Sequence, residues 1–518
     1  MRCVTIRRDW GRLVANNIRV DAMRLPRRKF LLAAMTASVL PAASRSAFAQ
    51  TPPKPVAEKR ALPLAERLAD YADRLRYDDL DAATIERVKA HVIDTLGCGI
   101  AAFDERPVQI CRDVALVPAG GVSSVIGTNK RTTPDLASFA NGAAFRYYDL
   151  NDVYVGRFAG HPSDNIAPCL AVAEAEHTSA EELITAIALV YEVNCRLIDA
   201  LDIGTRGWDP PVLSLPAVAL AAGKLMKLPP ERLAQAVNLA LNDHIAMGQT
   251  RAQTNSDWKG LADAEAGRNA VFATLLARHG LTGPAPIFEG RLGFFRQVSG
   301  PADVDVEAFG RRGVPFRIHQ CGMKPYAAVV YAQTAIVAAI AVAKQVGDLE
   351  RITAVEIATT RRGLQQTGSD PEKWTPATRD TADHSLPYIT TRAMFEGDID
   401  NDSYAPEKLR DPRTLAFMRK ITVAEDPALT ARTSPSIVPT RITAILNDGQ
   451  RIMREVDDVP GFVSRPMSRA DVEQKFRRNV GKRWPQERTD TVLQALWALD
   501  RTDDLPSLLG RLSLQTKS

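Results

Sequence analysis

An apolar residue recurs every three to four positions over much of this sequence, and this repeat constrains the fold more than any other feature. It starts with Leu64, Leu68 and Tyr71, which would form one stripe along a helix. Ser179 and Glu182 form a Ser-x-x-Glu capping box before a later helix. Segments of helical period cover residues 135–148, 166–177, 180–202, 212–226, 230–247 and 260–279. The repeat predicts a large, mainly α-helical domain with a shared core.

Strand signals appear only after about residue 313. Residues 352–360 and 441–446 are rich in β-branched side chains, and Asn447-Asp448-Gly449 is typical of a hairpin turn. The very apolar segment 331–346 predicts a helix that is buried on most sides. A smaller α+β domain is therefore expected to follow the helical one.

These changes of period give the expected domain boundaries. The helical domain is predicted over residues 61–318 and the α+β domain over residues 319–462. Helical periodicity resumes over 468–476 and 488–499, so residues 463–518 are expected to return as helices to the first domain.

The first residues contain the parts of a twin-arginine export signal in the right order. Arg27-Arg28 precedes an apolar run over 32–42, and the small residues of Ala47-Phe48-Ala49 follow. The apolar run is too short for an ordinary membrane-spanning helix. We predict a signal peptide over residues 1–49 and a proline-rich linker over 50–60. The folded protein is then expected to be periplasmic, without stable membrane insertion.

The formal net charge of +5 comes from that leader. Residues 1–49 hold ten Lys/Arg and two Asp/Glu, whereas the remaining chain holds 56 and 59. A nearly neutral body gives no reason to expect a nucleic-acid partner. The cysteines beyond the leader lack disulfide or zinc spacing and predict free buried thiols; they are Cys98, Cys111, Cys169, Cys195 and Cys321.

Motifs of nucleotide, zinc-hydrolase and serine-hydrolase chemistry are absent from the sequence. It has no G-x-G-x-x-G, Walker loop, H-E-x-x-H or G-x-S-x-G. Candidate functional residues must therefore come from polar clusters in apolar surroundings.

The first such cluster contains Arg146, Asp149, Asp152 and His161. The first three are spaced three apart and would share one face at a helix end. His161 lies in a Gly-His-Pro loop, where two nearby carboxylates would raise its pKa and prepare it for proton transfer. Ion pairs at a surface helix end are the alternative interpretation of the aspartates.

Two lysines and an aromatic segment form the other candidates. Lys259 follows Asp-Trp, and Lys324 lies in Gly-Met-Lys-Pro-Tyr. A partly buried lysine can bind carboxylates or titrate low enough to act as a base, although an isolated lysine is usually solvated. His384 and Tyr388 lie beside apolar residues and could line a pocket or simply pack in the core.

Taken in order, several stretches resemble the MmgE/PrpD family of 2-methylcitrate dehydratases and their relatives. They span about residues 62–480. The matching strings are Val92–Cys98, Asn141-Gly142, Gly160–Asn165, Asp257–Lys259, Leu281–Pro284, Ala382–Ser385 and Pro466–Ser468. One such string is weak evidence, whereas the ordered series is strong.

The resemblance implies a helical domain completed by the C-terminal helices, with a smaller α+β lid inserted. It also implies a homodimer and an active site between the two domains, without metal or organic cofactor. Family members dehydrate 2-methylcitrate, decarboxylate cis-aconitate or epimerise related acids. The residues at the family's site positions are Asp149, His161, Lys259, Lys324 and Tyr388.

The sequence departs from the family pattern near this expected site. Arg146 replaces a His of many members, and Asn151 replaces a third Asp, although the 2-methylcitrate dehydratase branch has a similar Arg-x-x-Asp-x-Asn-Asp pattern. Asp209 follows Gly207-Trp208, where many relatives carry a second catalytic His. Residues 327–331 stand where relatives often have another His.

Dehydration of a β-hydroxy acid requires a base for a weakly acidic proton, an acid for the leaving hydroxyl and cations for the carboxylates. We expect a small polycarboxylate substrate. The expected catalytic residues are His161, Asp149, Lys324 and Tyr388, and the expected substrate-binding residues are Lys259, Arg146 and Asp152. Tyr388 is expected to donate to the leaving oxygen or to a carboxylate. Decarboxylation or epimerisation of a related acid is the alternative activity. A periplasmic polycarboxylate-binding protein without catalysis is the alternative class, favoured by Asp209.

Overall fold

The structure is a computed structural model that describes residues 62–434 and 437–514. The predicted signal peptide and linker, residues 1–49 and 50–60, lie outside the described residues. The described chain is mainly α-helical and has a few small sheets, as predicted. Among these residues we find no helix that is both long and apolar enough to cross a membrane.

Helices dominate the first part of the chain. Ser179 caps α6 by accepting from the Glu182 backbone, which confirms the predicted capping box. The bounds are α1 Leu64–Arg74, α2 Ala82–Ala101, α3 Arg106–Ala115, α4 Pro134–Arg146, α5 Ile166–Ala175, α6 Ala180–Ala200, α7 Ser214–Leu225, α8 Pro230–Asn242 and α9 Ala262–Arg278. A minor hairpin, β1 Ser123–Ser124 with β2 Arg131–Thr132, lies between α3 and α4.

The helix predicted over residues 230–247 ends early, at Asn242. The following residues pair with another segment instead: the Asp209 amide donates to the Ala246 carbonyl, and the Gly248 amide donates to the Gly207 carbonyl. These hydrogen bonds between two segments of the chain satisfy backbone groups of residues 246 and 248 that a longer helix would otherwise pair.

The second part of the chain mixes helices with a four-stranded sheet. Its order is β7-β6-β8-β9, with β6 parallel to β7 and antiparallel to β8. The β8–β9 hairpin turns at Gly449, whose φ of 81° confirms the predicted Asn-Asp-Gly turn. The strands are β6 Ile352–Thr359, β7 Ile421–Glu425, β8 Thr440–Leu446 and β9 Arg451–Val456; the helices are α10 Gln333–Val346, α11 Arg361–Thr367, α12 Arg379–Ala382, α13 Leu386–Glu396, α14 Pro406–Leu409, α15 Pro412–Met418 and α16 Pro427–Ala431.

Two large apolar cores hold these parts together. The first includes Leu68, Val190 and Val218, whereas the second includes Ile336 and Ile442. Both belong to one compact unit of the chain. The domain boundaries at residues 318 and 462 stay a prediction.

A small antiparallel sheet links distant stretches of the chain near the candidate site. Its order is β4-β3-β5, formed by Ala159–Gly160, Asp152–Val155 and Gly322–Met323. Residue 152 pairs with residue 323. This pairing brings the segment after residue 323 beside the loop before residue 152.

The C-terminal helices are α17 Arg469–Val480, α18 Gln486–Trp497 and α19 Leu505–Gly510. Phe476 of α17 and Leu493 of α18 are buried in the first core. The buried Lys475 ammonium contacts Asp94 of α2 at 2.6 Å and donates to the Leu150 carbonyl at 2.8 Å. This bond ties α17 to the backbone next to Asp149.

Lys475→Met is expected to lower the free energy of unfolding by about 3–5 kcal/mol, because it leaves the Asp94 charge buried and unpaired. Lys482→Met removes an exposed ion pair with Asp402 and should cost no more than about 1 kcal/mol. Urea unfolding of both variants checks the difference. Equal losses of unfolding free energy in the two variants would show that the buried Lys475–Asp94 pair stabilises the fold no more than an exposed pair does.

Candidate active site

Asp149 lies at the centre of a buried cluster of charged residues. Helix α4 ends at Arg146, and the chain then turns through Asp149, whose φ is 52°. Aspartate is one of the few side chains that adopts this left-handed conformation at low cost. The turn directs the carboxylate toward cations from three separate stretches of chain.

Those cations are Arg146, Lys259 and Lys324. Arg146 donates to Asp149 Oδ1, Lys324 Nζ donates to the same oxygen at 2.5 Å, and Lys259 Nζ lies 3.4 Å from Oδ2. Burial opposes ionisation of Asp149, but these three charges outweigh it and hold its pKa well below the usual value. Burial lowers the pKa of Lys324 to about 8, even though Asp149 favours its charged form.

The two lysines reach the site from different elements. Lys259 lies in the turn Asp257–Gly260 just before α9, and Lys324 directly follows β5. Both side chains are fully buried. An unpaired buried ammonium is costly, so the carboxylate between them stabilises this arrangement.

A second carboxylate, Asp383, continues the cluster. It accepts from Lys259 at 2.9 Å and from Arg379 at 3.1 Å, and His384 Nδ1 lies 2.7 Å from its other oxygen. His384 Nε2 lies 3.9 Å from Asp149 Oδ2. From this segment the sequence analysis named His384 and Tyr388 as candidate pocket residues, but it assigned a catalytic role to Tyr388 alone and gave Asp383 no role. The adjacent Asp383-His384 pair was the available signal.

His161 lies near the other oxygen of the Asp149 carboxylate. Its Nδ1 lies 2.7 Å from the Asp152 carbonyl oxygen, which can only accept, so Nδ1 carries the proton. Nε2 therefore keeps its lone pair and lies 3.9 Å from Asp149 Oδ1. The backbone of Asp152, rather than a carboxylate, orients this ring.

The expected rise in the pKa of His161 is wrong. Burial and the charges of Arg146 and Lys324 lower its pKa well below the usual value, and the attraction of Asp149 does not compensate. Burial and Lys259 likewise lower the pKa of His384 to about 4. Both imidazoles are thus neutral at pH 7, and each places its Nε2 atom 3.9 Å from an oxygen of the Asp149 carboxylate.

Asp152 does not share a face with Asp149, contrary to expectation. It begins strand β3, and its carboxylate accepts from Ser163 and from the Tyr191 hydroxyl at 2.7 Å. His91 contacts it from α2 at 3.2 Å. The change from helix to strand turns this side chain away, so it braces the His161 loop instead of facing the two lysines.

Tyr388 is also directed elsewhere. Its hydroxyl donates to the Ser403 carbonyl at 2.7 Å, and its ring stacks on Tyr404. Burial raises its pKa. The side chain packs within the second core and is already committed to a backbone acceptor, which argues against the expected role as a proton donor.

Arg146 has a second set of partners. Its Nε lies 3.4 Å from Asp164 and 3.7 Å from Asp263, and Asp263 also contacts Arg251. Arg251 donates to Asp209 at 2.7 Å. Asp209 is thus ion-paired within the buried network that reaches Arg146.

Asp149, Asp383 and His384 are close enough together to resemble a metal-ligand set. However, Lys259 contacts both carboxylates, and Lys324 and Arg379 contact one each. A divalent ion would meet this positive charge at close range. The cluster therefore fits an anion better than a metal ion.

Comparisons with known proteins identify the family of this chain. Residues 66–307 match the MmgE/PrpD N-terminal domain, and residues 326–499 match the MmgE/PrpD C-terminal domain. The chain is 26% identical to 2-methylcitrate dehydratase of Cupriavidus necator, covering 85% of this chain and 95% of the relative. It is 24% identical to cis-aconitate decarboxylase of Mus musculus, covering 87% and 93%. It is also 24% identical to a cis-aconitate decarboxylase-like protein of Aspergillus oryzae, covering 86% and 96%.

Proposed function

Because the chain belongs to the MmgE/PrpD family, we propose that it is a cofactor-independent hydro-lyase that removes water from a small polycarboxylate such as 2-methylcitrate. The observation that carries this proposal is the convergence of two neutral imidazoles and two buried lysines on Asp149. Such a site combines bases with cations out of contact with water. Those are the groups that elimination beside a carboxylate requires.

The lysines would bind the substrate's carboxylates. An ammonium group has three N–H donors. Among the described residues, Lys324 donates only to Asp149, and Lys259 contacts Asp149 and Asp383. Each lysine therefore retains donor capacity for a substrate oxygen, and the low-dielectric surroundings strengthen that bond.

His161 would remove the proton from the carbon beside a carboxylate. Its Nε2 carries the free lone pair, and its low pKa keeps that lone pair available at neutral pH. As the proton moves to Nε2, the electrons of the C–H bond form the new double bond and the C–O bond breaks. The developing negative charge is stabilised by the buried cations.

Lys324 would give a proton to the leaving hydroxyl, which departs as water. A pKa of about 8 suits an acid that works near neutral pH. Asp149 Oδ1 contacts Lys324 and lies near His161, so it would hold acid and base in fixed positions and help return the proton from one to the other. Lys324 thus takes the place of Tyr388, which the sequence analysis expected to donate to the leaving oxygen.

The acid role of Lys324 predicts an alkaline limb in the pH profile. The ammonium is lost as the pH rises through about 8, so kcat/KM should fall above that pH. Lys324→Arg keeps the charge but cannot release a proton; it should lower kcat by about 10²-fold or more and abolish the limb. Lys259→Arg is the matched control and should retain the limb. An unchanged limb in Lys324→Arg would assign the titration to another group.

Incubation of the purified protein with 2-methylcitrate, citrate and cis-aconitate, followed by NMR, tests the reaction class. An unsaturated acid formed by loss of water supports the hydro-lyase. Release of carbon dioxide from cis-aconitate would favour the second candidate, a decarboxylase, which the names of the mouse and Aspergillus relatives support. Binding of these acids without any product would favour the binding protein.

The non-catalytic alternative rested on Asp209 in place of a His. His384 supports the catalytic proposal instead, because it supplies a second imidazole near Asp149 despite that replacement. Periplasmic location, the absence of stable membrane insertion and the homodimer stay proposals that rest on the leader and on family resemblance.

A further inference from the structure

Two cysteines that are far apart in sequence lie side by side, one of them three residues before Lys324. Cys195 is near the end of α6, and Cys321 immediately precedes β5. Their Sγ atoms are 3.7 Å apart, although 126 positions separate them. Both thiols are free and fully buried. The proposed reaction makes no use of either one.

The surrounding contacts hold this pair in place. Arg87 donates to the Cys321 carbonyl at 2.5 Å, and the next residue, Gly322, pairs with Val153 of β3. Cys195 lies on a helix whose neighbouring side chains fill the first core. A disulfide has an S–S distance of about 2.05 Å. The two sulfurs therefore need to approach by less than 2 Å to form the bond.

We propose that Cys195 and Cys321 are a modification site that oxidises to an intramolecular disulfide and fastens α6 to the segment carrying Lys324. With oxidised glutathione, one protein thiolate attacks the glutathione S–S bond and releases one glutathione. The second protein thiolate then attacks the mixed disulfide and releases the other. Two protein thiols are oxidised, one glutathione disulfide is reduced to two thiols, and the two protons pass to glutathione.

The disulfide would affect the candidate site through the short segment from residue 321 to residue 324. Closing the bond fixes the position of β5 relative to α6, and Lys324 follows β5 directly. Burial raises the pKa of both thiols, so their reaction with oxidant should be slow until the region opens locally. A long enclosed loop makes such a bond strongly stabilising once it forms.

The test exposes the complete protein to oxidised glutathione, in a urea concentration that leaves its far-UV circular dichroism unchanged but speeds local opening. Thiols are then blocked under denaturing conditions, and peptides are mapped by mass spectrometry. We expect the loss of two thiols per chain, one peptide pair linked through residues 195 and 321, and a melting temperature raised by a few degrees. Dithiothreitol should reverse all three changes.

Single substitutions provide the controls. Cys195→Ala and Cys321→Ala should each abolish the linked peptide and the rise in melting temperature. Cys169→Ala removes a buried thiol on α5 that contacts no other thiol among the described residues, and it should leave both results unchanged. Wild-type protein that keeps both thiols throughout, or that links either one to a different cysteine, overturns the proposal.

Discussion

Replacing His161 by Asn is expected to lower kcat for the substrate acid by about 10²-fold to 10⁴-fold, the usual contribution of a positioned general base. The Asn side-chain amide can still donate to the Asp152 carbonyl in place of Nδ1, so the loop should keep its position. What the variant lacks is the free lone pair near Asp149. Substrate affinity should change much less than kcat, because the lysines that would bind carboxylates remain.

Steady-state kinetics and circular dichroism of the variant check this expectation. His177→Asn is the matched control, because His177 is an exposed histidine with a φ of 51° that Asn tolerates well. It should have wild-type kcat. A His161→Asn variant that retains near-normal kcat would remove His161 from the reaction.

Asp149→Asn should cause the largest loss of stability of any substitution in the cluster. Arg146, Lys259 and Lys324 would then be buried without their shared counter-charge, at a cost of about 3–5 kcal/mol. Asn also tolerates the left-handed backbone, so the loss reports charge and not strain. Urea unfolding at pH 7 measures the difference.

The pH dependence of this loss has a definite sign. Because the folded pKa of Asp149 is depressed, its stabilising contribution is present above the unfolded pKa of about 3.9 and is lost as the pH falls toward the folded value. The difference in the free energy of unfolding between wild type and Asp149→Asn should thus be largest near neutral pH and should decrease below about pH 4.

A matched control and a ligand separate this effect from general damage. Asp402→Asn removes an exposed partner of Lys482 and should change stability by no more than about 1 kcal/mol. Citrate should recover part of the stability of Asp149→Asn, because an anion can occupy the place beside the unneutralised cations. A difference in unfolding free energy that does not change with pH would contradict the proposed charge balance. So would a variant whose stability does not rise when citrate is added.

Much of the site was predictable because the sequence carried an ordered series of recognisable strings. That series pointed to Asp149, His161, Lys259 and Lys324, and the structure brings all four together with Arg146. Their roles in catalysis stay predictions. Helical periodicity likewise predicted the main elements, since buried faces recur at a fixed spacing.

The predictions that failed concern residues beyond the end of helix α4, where helical spacing no longer determines side-chain direction. Three-residue spacing suggested that Asp152 shares a face with Asp149, but helix α4 ends at Arg146 and Asp152 starts a strand. The direction of the His161 pKa shift was missed because the cations that surround it, Arg146 and Lys324, include one from a remote segment. Side-chain direction and long-range charge are set by tertiary packing, which spacing alone does not reveal.

His384 was named as a candidate pocket residue but left out of the expected catalytic residues, for a related reason. In sequence it is one His beside apolar residues, and such a residue is commonly a core histidine. Its position near Asp149 depends on packing between segments more than two hundred residues apart. Tyr388, one helical turn later, points instead toward Ser403. The order of residues within a short motif therefore did not reveal which member faces the site.

A crystal structure of the protein with citrate tests the central claim most directly, namely that the buried cluster around Asp149 is a polycarboxylate-binding active site. We predict one citrate with carboxylate oxygens within hydrogen-bonding distance of Lys259 and Lys324, and with a C–H carbon within about 3.5 Å of His161 Nε2. Citrate bound elsewhere, with the contacts of Asp149 unchanged and no anion beside the lysines, would contradict it.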